Sequence, residues 1–153
     1  MVLNKSSNAV SDVTGSVVTF DVTACLPDEH TVAAYARDGV VCLRNAHSAA
    51  WLTVIEQGID AALAGGSEDL DIVDKAGDSG RFSYSSQAWQ QVAPFRRFIF
   101  ESRVADLSWP FLKSNSLTLY YDFLLIKEPG TTRAATPWQQ DHAYYPLRGS
   151  DVI

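Results

Sequence analysis

The residue types best suited to chemistry gather in one stretch of this 153-residue chain, Thr136-Pro137-Trp138-Gln139-Gln140-Asp141-His142-Ala143-Tyr144-Tyr145-Pro146. It follows an apolar run from Leu117 to Lys127 and a Pro129-Gly130 turn. In an extended segment, side chains two apart share a face. Gln139 and Asp141 therefore look one way, and Gln140 and His142 the other. Metal-capable side chains at i and i+2 on a strand are how a His-x-Asp pair offers two legs of a 2-His-1-carboxylate triad to non-haem Fe(II). Here the second leg is an aspartate. The first is Gln139, whose neutral amide oxygen is a poorer donor to Fe(II) than an imidazole. Of three histidines, His30 and His47 lie in an N-terminal helical region, with no spacing that brings either to Asp141. His142 is adjacent but faces away unless a β-bulge re-aims it.

Together with its approach, Leu119-Tyr120-Tyr121-Asp122-Phe123-Leu124-Leu125-Ile126-Lys127-Glu128-Pro129-Gly130-Thr131, this stretch resembles the phytanoyl-CoA dioxygenase family. These are Fe(II)- and 2-oxoglutarate-dependent oxygenases with Trp-His-Gln-Asp and a nearby Tyr at the motif. Trp138, Gln140, Asp141 and Tyr144 match that pattern, and Gln139 occupies the place of the histidine. The likeness extends more loosely back to about Pro27. It implies an α+β, mainly β fold, in which N-terminal helices pack on a double-stranded β-helix of the jelly-roll, cupin-like kind. It also implies that Asp141, with Gln139 beside it, sits at the iron, that Lys127 helps bind 2-oxoglutarate, and that Trp138 and Tyr144 line the pocket of a small organic substrate. In the family a second His and an Arg that grips the keto acid come far downstream. The expected organisation is therefore an arm over residues 1–18 followed, over 19–153, by the N-terminal part of one oxygenase-like domain, with the second half of the jelly roll lying outside this sequence.

Each of these residues has a plainer reading. Asp141 can sit in a turn or pair with an Arg, Lys127 can reach solvent from a strand end, and Trp138 and Tyr144 can simply pack. Two functions stay open on that basis: hydroxylation coupled to decarboxylation of 2-oxoglutarate, or a non-catalytic binding or structural protein that kept the scaffold and lost the iron.

The elements that must position this stretch are legible in outline. Pro27-Asp28-Glu29-His30 opens a helix, since Pro and acids suit a first turn with free backbone N–H groups, and Asp38-Gly39 stops it. Val40 to Arg44 reads as a strand, Asn45 to Ser48 as a capping loop. A second helix carries Trp51, Val54, Ile55, Ile59 and Ala62 on one stripe and ends at Gly65-Gly66. The acid-rich segment from Ser67 to Gly80 reads as a solvated loop, without the ligand spacing of an EF-hand. Arg81-Phe82-Ser83-Tyr84 reads as a short strand lining a pocket. From Gln87 to Glu101 aromatic and apolar residues predict core, interrupted by Pro94. Ser102 is placed to cap a helix over Arg103 to Leu112. Leu117 to Ile126 is apolar on both faces and predicts a strand covered by helices on one side and a second sheet on the other.

Composition bounds the rest. An apolar share of 46% with four Trp and seven Phe predicts a globular chain large enough for a core. A net charge of −6 without a basic cluster argues against nucleic acid and anionic membrane as partners. A small-molecule substrate is expected, together with self-association through the open sheet. Cys25 and Cys42 predict two reduced, mostly buried thiols. No apolar run approaches the roughly 18 residues of a membrane span, and the N-terminus lacks a signal pattern, which predicts a cytoplasmic location.

Overall fold

Positioning begins with a parallel strand–helix–strand unit and a pair of packed helices and ends in a small antiparallel sheet. The computed structural model describes residues 16–73, 77–131, 136, 139, 145–146, 148–149 and 152–153. The expected arm falls largely on residues 1–15, outside the described residues.

Strand β1 (Thr19–Asp21) pairs in parallel with β2 (Cys42–Arg44), and helix α1 (Glu29–Asp38) makes the crossover between them. Asp28 caps α1, its carboxylate accepting the Thr31 N–H at 2.9 Å and the Thr31 hydroxyl at 2.8 Å. Gly39 ends the helix at φ 74°, the left-handed turn that glycine adopts without a steric penalty. Arg103 ties this unit to the rest of the chain: its guanidinium donates to the Val22 carbonyl at 2.8 Å and the Cys25 carbonyl at 2.5 Å. The two thiols are free, Cys42 half-buried and Cys25 exposed. The second departs from the expected burial, because Cys25 lies in the loop that Arg103 holds by its backbone.

Helix α2 (Ala49–Ala61) continues into a wider π-turn over Ala62–Gly66 that breaks at Gly65, φ 93°. Val54, Gly58 and Ala62 form its buried line, four residues apart as one helix face requires. Pro94 starts a helix rather than interrupting one. It occupies the first turn of α3 (Ala93–Glu101), where its missing N–H has no bond to lose. α3 packs on α2 where Gly58 has no side chain, and a Cβ there would overlap the Phe95 ring. Phe98 lies edge-on to both His47 and Trp51, at 4.8 and 6.1 Å between centroids. The expected helix from Arg103 is shorter, α4 (Val104–Ser108), and tightens into a 3-10 turn over Trp109–Phe111 at Pro110.

The second sheet has strand order β3 (Asp71–Ile72), β4 (Phe82–Ser86), β5 (Phe123–Lys127), all antiparallel. β3 lies within the segment expected to be loop. The expected ten-residue strand is realised only in its second half. Leu119 and Tyr120, ahead of β5, are exposed, and no strand is assigned from Leu117 to Asp122. Mixed helix and small sheets are thus the architecture, with no closed barrel among the described residues. No helix among them is long and apolar enough to cross a membrane.

Alanine at Gly58 is expected to lower unfolding free energy by about 1–3 kcal/mol, the usual cost of overpacking against a rigid ring. Urea denaturation reads this directly, and a loss below about 0.5 kcal/mol would mean that α2 and α3 do not meet as described.

Candidate active site

The site is built on the more exposed face of the β4–β5 pair. The register sets Phe82 opposite Lys127, Tyr84 opposite Leu125 and Ser86 opposite Phe123. Directly opposed residues share a face and alternate residues take the other. Ser83 and Ser85 are 1% and 0% exposed and Ile126 is 8% exposed, whereas Phe123 and Leu125 are 49% and 47% exposed. The closed face is therefore the one bearing Ser83, Ser85 and Ile126, and Ser67, just past α2, meets Ser85 there hydroxyl to hydroxyl at 2.8 Å. The open face carries Phe82, Tyr84, Phe123, Leu125 and Lys127.

Two features hold the pairing at its Lys127 end. Glycine at 80 lets the strand pass the Pro129 and Glu128 carbonyls so closely that a Cβ would overlap them. Beside it, Arg81 and Glu128 exchange a 2.9 Å ion pair and a 2.9 Å backbone hydrogen bond. Hydrogen bonds from the Arg81 side chain and backbone hold the Glu128 carboxyl below its ordinary range. Gly130 completes the turn at φ 92°.

Rings run across the open face in contact: Phe82 to Tyr84 at 6.1 Å, Tyr84 to Phe123 at 5.8 Å, Phe123 to Tyr121 at 6.2 Å, and Tyr121 to Tyr145 at 5.8 Å. Asp71, opposite Tyr84 on β3, hydrogen-bonds its phenol and, with its negative charge, pushes the phenol's pKa up. At the end of this wall Lys127 holds its ammonium 5.6 Å from the Phe82 ring centre and donates to the Thr136 hydroxyl at 2.6 Å. A cation beside an aromatic wall can orient a carboxylate whose organic part rests on the rings.

Of the residues singled out in the sequence, Lys127 lies on the open face and Gln139 is exposed. Asp141, Trp138 and Tyr144 lie outside the described residues, as do Gln140 and His142. Among the described residues no group of three or more His, Cys, Asp or Glu side chains converges to hold a metal ion. The described part of the chain thus presents a cation beside a row of rings. Sequence reasoning anticipated a short strand at Phe82 and Tyr84. It did not single out Asp71, whose place opposite Tyr84 depends on a two-residue strand inside an acidic segment.

Asp122, just before β5, steadies the approach. Its carbonyl accepts the Gln87 N–H at 3.0 Å and one carboxylate oxygen accepts the Trp89 N–H at 3.2 Å. The other oxygen is buried without a partner among the described residues. Burial pushes this carboxyl up, against the hydrogen bond from Trp89.

The sequence model of the phytanoyl-CoA dioxygenase family matches residues 35–153, most of the chain, and the chain belongs to that family. No curated protein and no solved structure matches it.

The raised pKa of Asp122 means that the folded state binds its proton more tightly than the unfolded state. Its contribution is therefore favourable below the unfolded carboxyl pKa and is lost as pH rises through the folded one. Asp122→Asn keeps the acceptor for Trp89 and removes the charge, so it should be at least as stable as the parent at pH 7, with any advantage shrinking towards pH 4. Urea unfolding at the two pH values tests this, and marked destabilisation at pH 7 would contradict the burial argument.

Proposed function

We propose that residues 19–153 form the N-terminal part of an Fe(II)- and 2-oxoglutarate-dependent oxygenase domain that hydroxylates a small organic substrate. The observation that carries this reading is the coincidence of the family match with Lys127 on the one open, aromatic face of the β4–β5 sheet. In this reading the open face is the inner wall of a jelly roll whose facing sheet is supplied by chain beyond the described strands. Lys127 attracts a carboxylate of 2-oxoglutarate as a compact point charge. The rings of Phe82, Tyr84 and Phe123 shed water from the site, which strengthens that attraction.

Asp141 is the proposed iron ligand, with Gln139 in the place of a histidine, while Trp138 and Tyr144 wall the substrate pocket. Iron, when bound, supplies the activation of oxygen that couples hydroxylation to decarboxylation of the keto acid to succinate. This chain's described residues bind and orient the organic partner and exclude solvent.

The weak point of the metal site is Gln139, and it provides the test. Replacing Gln139 with His, in a protein that includes whatever follows Ile153 in its reading frame, should tighten Fe(II) binding and increase 2-oxoglutarate consumption. In that background Lys127→Ala should raise the KM for 2-oxoglutarate about 10- to 100-fold, the worth of a hydrogen bond to a charged group. Failure of the histidine variant both to bind Fe(II) and to consume 2-oxoglutarate would favour a non-catalytic binding role.

A further inference from the structure

Resting on that assignment of Lys127, we propose that Phe82 and Thr136 are positioning residues that fix the Lys127 ammonium on the open face before any ligand arrives. A lysine at a strand end ordinarily sweeps a wide volume on its four-carbon stem, and immobilising it costs entropy when a ligand binds. Here two groups from different parts of the chain meet that cost in advance. β4 delivers the Phe82 ring through its directly opposed register with Lys127, with 5.6 Å between ammonium and ring centre. The chain beyond the Pro129-Gly130 turn delivers the Thr136 hydroxyl, which accepts a hydrogen bond from the ammonium at 2.6 Å.

The ring restrains the ammonium through its electron-rich face, and the hydroxyl restrains it through one N–H. The Arg81–Glu128 pair one residue along each strand falls on the opposite face by strand alternation. It therefore holds the strand ends together without drawing the lysine away from the rings. Preorganisation of this kind raises affinity by lowering the ordering cost rather than by adding a contact to the ligand.

The restraint can be read without any ligand, from the rate at which acetic anhydride acylates Lys127, followed by peptide mass spectrometry on the folded full-length protein. Phe82→Leu and Thr136→Val should each raise that rate about two- to fivefold, the scale of an exposed cation–π contact. Phe82→Tyr and Thr136→Ser, which keep the ring and the hydroxyl, should stay at the parent rate. Unchanged acylation in both disruptive variants would overturn the proposal. Thr136→Val alters an exposed side chain and decides the matter even if Phe82→Leu fails to fold.

Calorimetric titration with N-oxalylglycine, an unreactive 2-oxoglutarate analogue, separates this inference from the functional reading. Faster acylation together with weaker analogue binding supports both. Faster acylation in a protein that binds no analogue upholds the positioning of Lys127 and removes the keto-acid assignment.

Discussion

The register of β4 against β5 is the constraint on which the site depends. Side chains alternate along a strand, so a slip of β5 by one residue against β4 would put Lys127 on the opposite face from Phe82 and Tyr84 and break up the site. Five consecutive pairs fix the alignment. Its Lys127 end is locked by a contact only glycine permits, at Gly80 against Pro129, and by the Arg81–Glu128 pair. The exposed ion pair adds little stability on its own. Its value lies in specifying which residues are opposed, and from that follow the ring wall and the position of the ammonium.

The closed face shows why the alternation cannot easily reverse. Ser83 and Ser85 are small, fully buried, and satisfied in part by Ser67. Phe82 and Tyr84 in those places would need space that the chain running from α2 into Ser67 does not leave. Packing below the sheet and the ring-lined wall above it are consequently set by one alternation in Phe82-Ser83-Tyr84-Ser85.

Elements marked by local chemistry were legible in the sequence. Asp28 and Gly39 bound α1 by capping and by a left-handed turn, and Val54 and Ala62 mark the inward stripe of α2 by spacing alone. Features that depend on distant partners were not. β3 is two residues inside an acidic run and exists because β4 lies beside it. Pro94 reads as an interruption until the chain before it is seen to turn away, leaving the proline to begin α3. The run from Leu117 to Ile126 is rich in apolar and aromatic residues on both faces, but only Phe123 onward finds a pairing strand, so hydrophobicity overstated its length. Lys127 could be found through the family pattern, whereas the part played by Phe82 required the register. Asp141, Gln139, Trp138 and Tyr144 rest on the motif alone, in which Gln139 stands where the family pattern has a histidine.

The central claim is that the face bearing Phe82, Tyr84, Phe123 and Lys127 is the inner, ligand-facing wall. Its most direct test is the pattern of intermolecular nuclear Overhauser effects between the methylene protons of 2-oxoglutarate and assigned aromatic protons of the protein. The account predicts cross-peaks to the rings of Phe82 and Tyr84. Contacts only to groups on the Ser83, Ser85 and Ile126 side of the sheet, or no contacts with bound ligand at either ring, would contradict it.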